Sequence, residues 1–235
     1  MTTKKTFWVL CLCLMSAMAS IGWAVPPGLV GWWSFDEGAG DVAGDGSGNG
    51  NDGALVNTAW AAGYLGSALD FDGTAYVDVP VESWSTIDMQ VTLAFWVYID
   101  AATLPQNNFI FGAFHDPANN ETRAMSSHLP WGNGNVYFDT GGGPGGGYDR
   151  ISQAFTNDDV TGVWIHWAWI KNAETGDQIL YRNGVAWLSG TGLTRPLDGA
   201  GVTRFTIGTK PSLVEGWFTG IIDDVQLYNV ALTPE

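Results

Sequence analysis

Cysteine and positive charge are both scarce in this 235-residue chain. Its two cysteines, Cys11 and Cys13, lie within the first 24 residues. Residues 25–235 therefore cannot form a disulfide, and their stability rests on core packing. Nine Lys and Arg stand against 24 Asp and Glu, a formal net charge of −15. A field of that sign excludes nucleic acid and anionic lipid as partners held by net charge, and it attracts divalent cations. Zinc has much less support than calcium, because His115, His128 and His166 lack ligand spacing and no cysteine follows residue 24. Convincing helical periodicity is missing throughout, as is any apolar run after residue 24 long enough to span a bilayer.

The first 24 residues carry Lys4 and Lys5, an apolar run over 7–18 and small residues ending at Ala24, which is the pattern of a secretory signal peptide. Gly22 and Ala24 set the expected cleavage after Ala24, with Ala17 and Ala19 offering a second site. Leu10 and Leu12 stand where a lipoprotein signal wants a small residue. Cleavage after Ala24 leaves seven basic against 24 acidic residues, a formal charge of −17. The product is expected to be secreted, extracellular or at the cell surface, without stable membrane insertion. Residues 25–235 are enough for one β-sandwich domain with a substantial core, and no linker divides them.

Strand signals dominate this remainder. Residues 90–99 and 163–171 are rich in β-branched and aromatic side chains on both faces and are expected as central strands. Shorter runs at 68–71, 75–79, 109–114, 136–139, 178–181, 185–188 and 204–208 are separated by Asp72-Gly73, Asn133-Gly134, Asn183-Gly184 and similar turns. Asn183-Gly184 predicts a type I′ hairpin, because both residues tolerate positive φ. The stretch Gly141-Gly-Gly-Pro-Gly-Gly-Gly147 predicts a hairpin loop; Tyr148-Asp149-Arg150 after it lacks the Lys-Ser or Lys-Thr of a phosphate loop. Many short strands predict an all-β fold, a two-sheet antiparallel sandwich, although periodicity leaves jellyroll and immunoglobulin-like topologies open.

Seven short motifs occur in a fixed order: Trp33-Ser-Phe-Asp-Glu-Gly38, Asp45-Gly-Ser-Gly-Asn-Gly-Asn-Asp-Gly53, Ala68-Leu-Asp-Phe-Asp-Gly73, Thr92-Leu-Ala-Phe-Trp96, Trp164-Ile-His-Trp-Ala168, Leu180-Tyr-Arg-Asn-Gly184 and Phe218-Thr-Gly-Ile-Ile-Asp-Asp-Val225. In this order they resemble the laminin-G-like jellyroll family of the concanavalin A-like superfamily, over essentially all of residues 25–235. The departures are Trp167 and Trp169, where related modules more often carry an aliphatic residue, and the glycine-rich loop. The resemblance implies a concanavalin A-like jellyroll whose first and last strands are neighbours, a secreted binding module, and a His166 packed within the sandwich.

Asp45-Gly-Ser47-Gly-Asn49-Gly-Asn51 places oxygen donors at alternate positions, like the first half of a calcium loop. Val56 stands where the bidentate Glu would fall, so a structural calcium held by Asp45, Asn49 and Asn51 needs help from Asp36 and Asp224. The other reading of these residues is a tight turn closed by Asx hydrogen bonds. Sugar rings stack on aromatic faces, and loop aromatics are the candidates: Trp131, Tyr148 and Trp84, with Trp131 and Tyr148 expected on one edge of the sandwich. Trp32, Trp33, Trp96, Trp164 and Trp187 lie in strand-like runs and are assigned to the core.

No catalytic residue is expected. The Glu-x-Asp-x-x-Glu pattern of sandwich glycosidases is absent, and Asp223 and Asp224 point to opposite faces if they share a regular strand. The expected function is non-catalytic binding of an extracellular polysaccharide or glycan. The alternatives are a protein-binding adhesion or structural domain that recognises a cell-surface protein, and a polysaccharide-degrading hydrolase or lyase.

Overall fold

The structure, a computed structural model, describes residues 26–233; the leader pattern and its cleavage site lie outside them. In chain order the strands begin with β1 (Leu29–Trp33), β2 (Val42–Ala43), β3 (Gly53–Val56), β4 (Ala59–Ala62), β5 (Ser67–Asp72) and β6 (Tyr76–Val79). Next come β7 (Gln90–Tyr98), β8 (Phe111–Phe114), β9 (Arg123–Trp131), β10 (Asn135–Thr140) and β11 (Asp149–Ala154). A single helical turn, α1 (Asn157–Val160), leads to β12 (Ile165–Asn172), β13 (Asp177–Arg182), β14 (Val185–Gly190), β15 (Arg204–Ile207) and β16 (Thr219–Tyr228).

These strands build two antiparallel sheets. One runs β14-β13-β12-β7-β16-β5-β4 with β1 also on β16, and the other runs β11-β10-β9-β8-β15-β6-β3-β2. The first and last strands pair from Leu29↔Tyr228 to Trp33↔Val225. The aromatic runs expected as central strands are β7 and β12, paired from Ile165↔Val97 to Asn172↔Gln90. Asn183 (φ 50°) and Gly184 (φ 78°) turn β13 into β14 as the dipeptide predicts. Among the described residues no helix is long and apolar enough to cross a membrane.

A shared core fills the space between the sheets. Trp167 and Trp169 of β12 are fully buried, and Trp169 meets Phe111 of β8 and Phe138 of β10 edge-on, with centroids 5.5 and 5.0 Å apart. The large indoles at positions the resemblance marks as aliphatic are thus contacts between sheets. Thr140 and Gln178 add a buried hydrogen bond of 2.9 Å across the same interface.

Two assignments change. Of the five tryptophans assigned to the core, only Trp33 is fully buried; Trp96, Trp164 and Trp187 are half-buried and Trp32 is 38% exposed. Strand alternation forces adjacent Trp32 and Trp33 to opposite faces, so both could not be core. In β16, a bulge between Asp223 and Gln226, with Asp224 at φ 51°, breaks the regular alternation on which the opposed-acid expectation rests.

Candidate functional site

Strands β9, β10 and β11 present an array of polar side chains on the face turned away from the core. Val136, Phe138 and Ile151 alternate inward, which sends Tyr137, Asp139 and Arg150 outward. The pairing places Tyr137 opposite His128 and Asp139 opposite Arg150. Above them opens a cleft of about 330 Å³, with Trp131, Tyr148, Asn120, Asn133, Lys210 and Glu215 on its walls.

Asp139 is completely buried and organises the floor. Arg150 binds it through Nε (2.5 Å to Oδ1) and Nη2 (2.7 Å to Oδ2), Arg123 donates from Nη1, and His128 Nε2 lies 3.1 Å from Oδ2. Burial by itself raises the Asp139 pKa, but the hydrogen bonds from Arg150 and His128 and the Arg123 charge outweigh it. The carboxyl is held well below the usual carboxylate range. Burial pushes His128 the other way, below the ordinary histidine value, against the opposing pull of Asp139. The neutral ring then carries its proton on Nε2, and Nδ1 is buried without a partner among the described residues.

The aromatic walls are braced by the same cations. Arg123 lies 4.4 Å and Arg150 5.0 Å from the Tyr148 ring centroid, and Arg150 also lies 4.6 Å from that of Tyr137. Trp131 stands perpendicular to the His128 ring at 4.7 Å and to Phe109 at 6.0 Å. The glycine-rich loop joins β10 to β11 and must lie close to β9. A Cβ on Gly142 would come within 2.6 Å of the Arg123 backbone nitrogen, and Gly141, Gly146 and Gly147 all have positive φ. Asp149, next to Tyr148, anchors the far side through Lys171 Nζ (2.8 Å) and the Arg195 amide (3.0 Å).

The structure brings Trp131 and Tyr148 together in this cleft; Trp131 is the last residue of β9 rather than a loop residue. Trp84 is corrected. It is fully buried in the core, edge-on to Phe205 at 5.4 Å, and offers no face to a ligand. Sequence reasoning missed Arg123, His128, Tyr137, Asp139, Arg150, Lys210 and Glu215. The available signal was a charged Asp139 directly behind Val136-Tyr-Phe, just before the glycine-rich hairpin.

The five donors expected around calcium are not assembled as one shell. Asp45 Oδ1 accepts from the amides of Trp32 and Ser47, both at 2.9 Å, and Oδ2 accepts from Ser47 Oγ (2.8 Å) and the Asn51 amide (3.0 Å). Asn49 and Asn51 turn their amide nitrogens to the Val30 carbonyl, at 3.3 and 2.8 Å. Asp36 instead accepts from the Ser67 amide (3.1 Å) and Asp224 from Trp32 Nε1 (2.6 Å). Among the described residues, no three His, Cys, Asp or Glu side chains gather around a common metal position. This donor set fits the Asx-closed turn and does not fit a calcium shell.

The opposite sheet holds a second aromatic group that is closed by the chain itself. Tyr64, from the turn between β4 and β5, stacks on Trp96 at 3.5 Å, and His166 meets Trp96 edge-on at 5.1 Å. Asp223 fixes that turn by accepting from the amides of Tyr64 (2.8 Å) and Leu65 (3.1 Å). Its other oxygen is buried without a partner among the described residues, and the residue is 1% exposed. Burial, with Asp224 and Asp36 adding repulsion, pushes Asp223 up to about 6. A raised native pKa in an acid stabilises the fold below the unfolded value near 4 and is lost as pH rises through 6. Asp223→Asn is therefore expected to remove a stability loss on the order of 1–3 kcal/mol between about pH 4 and 7. Thermal unfolding across that range checks this; parallel pH profiles for the two proteins would contradict it.

Comparisons with known proteins agree with this architecture. A laminin G-type family model, described as the concanavalin A-like lectin/glucanases superfamily, matches residues 71–235. Domain 4 of AbnA, a GH43 extracellular arabinanase from Geobacillus stearothermophilus solved with arabinotriose, superposes with a TM-score of 0.63 at 25% identity. The match covers 88% of this chain and 94% of that one. The binding domain of botulinum neurotoxin DC in complex with SialylT gives 0.62 at 12% identity, over 88% of this chain and 49% of that one. Trypanosoma rangeli sialidase in complex with the inhibitor DANA gives 0.61 at 19% identity, over 91% of this chain and 32% of that one. The chain thus spans nearly all of the arabinanase domain, about half of the toxin domain and a third of the sialidase. No curated protein sequence matches it. On the family match and the jellyroll topology together, the chain belongs to the concanavalin A-like lectin/glucanases superfamily.

Proposed function

We propose that this protein is an exported, non-catalytic carbohydrate-binding module whose site is the β9-β10-β11 cleft. The observation that carries the reading is the convergence of Trp131, Tyr137 and Tyr148 with fixed polar groups around one concavity of about 330 Å³. That volume is at the lower end for ligand pockets and suits one to three sugar rings in an open groove. The aromatic walls supply apolar contact to sugar C–H faces, while Asn120, Asn133 and Glu215 supply hydroxyl partners. Further support comes from the arabinotriose-bound arabinanase domain, which this fold covers almost end to end. Export rests on the leader pattern of residues 1–24.

The state of the acids supports binding over glycoside hydrolysis. Most glycosidases use two accessible carboxyls flanking one bond. Here Asp139 is fully buried beneath two guanidinium groups, which leaves Glu215 as the carboxylate on the cleft wall. Calcium is left out of this reading, because both Asp45 oxygens are occupied by local donors.

The test is glycan-array binding by the purified protein in calcium and again after chelation, with the bound sugars analysed for cleavage. The expected result is binding of equal strength in both conditions with the sugars intact. Loss of binding on chelation would restore the calcium-dependent reading. Shortened sugars would establish a hydrolase or lyase, and no binding would favour the protein-binding alternative.

A further inference from the structure

We infer that the cleft recognises an anionic saccharide, one carrying a carboxylate or sulfate group, with the free guanidinium nitrogens of Arg123 and Arg150 and the ammonium of Lys210 as its receptors. This rests on the carbohydrate-binding reading and specifies the ligand class of the same site.

The distribution of cations is the first observation. After residue 24 the chain has seven basic residues, and three of them, Arg123, Arg150 and Lys210, line this one cleft. Two carboxylates touch them, Asp139 and Glu215, so these five groups sum to one positive charge in a chain of formal charge −15. The distant acids do not cancel it, because at physiological ionic strength charges beyond about 8 Å are screened while groups in contact are not.

The donor inventory is the second. Arg150 spends Nε and Nη2 on Asp139, and Arg123 spends Nε on the Asn120 carbonyl (2.7 Å) and Nη1 on Asp139. Each therefore keeps one terminal NH₂ without a protein acceptor among the described residues. Lys210 Nζ donates to Glu215 Oε1 at 2.6 Å and has two further N–H groups. Against these donors the cleft wall offers the free oxygen of Glu215 and a few amide oxygens. A neutral sugar answers these donors with uncharged hydroxyl oxygens, the weaker acceptors. A carboxylate or sulfate answers them with charge-assisted hydrogen bonds.

Geometry fixes the receptors in place. The buried Asp139 holds both guanidinium groups, and the Tyr148 ring lies against both, so little side-chain freedom remains to be lost on binding. Glu215 is 58% exposed at its side chain and is the nearest countercharge to Lys210. It competes with an anionic ligand, which makes Glu215→Gln a variant that gains affinity with little risk to folding.

Titration calorimetry of the full chain would compare tetragalacturonate, a sulfated heparin tetrasaccharide, and neutral arabinotriose and cellotetraose. The expected result is binding of at least one acidic probe ten-fold or more above either neutral sugar. Glu215→Gln is expected to raise the ratio of acidic to neutral binding three- to ten-fold, since it removes the competing charge and keeps an amide oxygen for a sugar hydroxyl. Preference for the uronate assigns the carboxylate, and preference for the heparin fragment assigns the sulfate. Neutral sugars binding as well as or better than both acidic probes would overturn the inference while the carbohydrate-binding reading stands. Binding of none of the four would overturn the inference as well, and failure on the full glycan array would then remove the reading itself.

Discussion

Replacing Asp139 with alanine is expected to lower the unfolding free energy by about 3–5 kcal/mol, the cost of stranding a buried ionic partner. The carboxylate is completely buried and receives Arg123, Arg150 and His128. Its removal leaves the buried Arg123 and the more exposed Arg150 without the carboxylate that both of them bind. The pH dependence has a definite sign. The native pKa is depressed, so the contribution of the ionised group is complete above the unfolded value near 4 and is lost as pH falls below it. Asp223 acts oppositely over pH 4 to 6. These two groups alone therefore place their combined maximum of stability near pH 4. Denaturant unfolding of wild type and Asp139→Ala at pH 7 measures the first effect; a difference under about 1 kcal/mol would show the network to be dispensable.

Trp84→Ala is expected to cost about 3–5 kcal/mol by leaving a cavity in the core. The indole is fully buried in the short helical segment Val81–Trp84 and meets Phe205 edge-on, in a cluster that also includes Ile87 and Val202. The sequence pattern alone places this tryptophan among the ligand-binding aromatics. The variant should unfold at markedly lower denaturant yet bind saccharide with wild-type affinity while folded. Weakened binding with unchanged stability would reverse the assignment.

Trp84 illustrates what pattern reading misses. It lies between turn residues and without strand alternation, so nothing local says that the Val81–Trp84 turn tucks its last side chain under β15. The strands of the fold were legible wherever β-branched and aromatic residues run together, as in β7 and β12. The Asn183-Gly184 hairpin was legible from its φ requirement alone. Strand β9 was not, because Arg123, Ser126, Ser127, His128 and Pro130 give it no apolar period. Of these, Arg123 and His128 line the cleft, so the strand that lends it two polar groups is one whose sequence least resembles a strand. Trp131 and Tyr148 were legible as aromatic residues beside turns, and their convergence follows from the β9-β10-β11 meander. Asp45 was legible as an oxygen-rich turn, but its choice between metal and backbone amides depended on the approach of β1, a contact between distant segments of the chain.

The most direct measurement is the saccharide affinity of wild type beside Trp131→Ala and Tyr148→Ala, with folding of each variant checked by thermal unfolding. Both side chains are half-exposed, so each variant is expected to stay folded. Loss of one stacking wall should weaken binding about five-fold or more, taking the 1–3 kcal/mol that aromatic stacking of a nucleic-acid base contributes as the scale. Unchanged affinity in both folded variants would contradict the account and place the binding surface elsewhere on the sandwich.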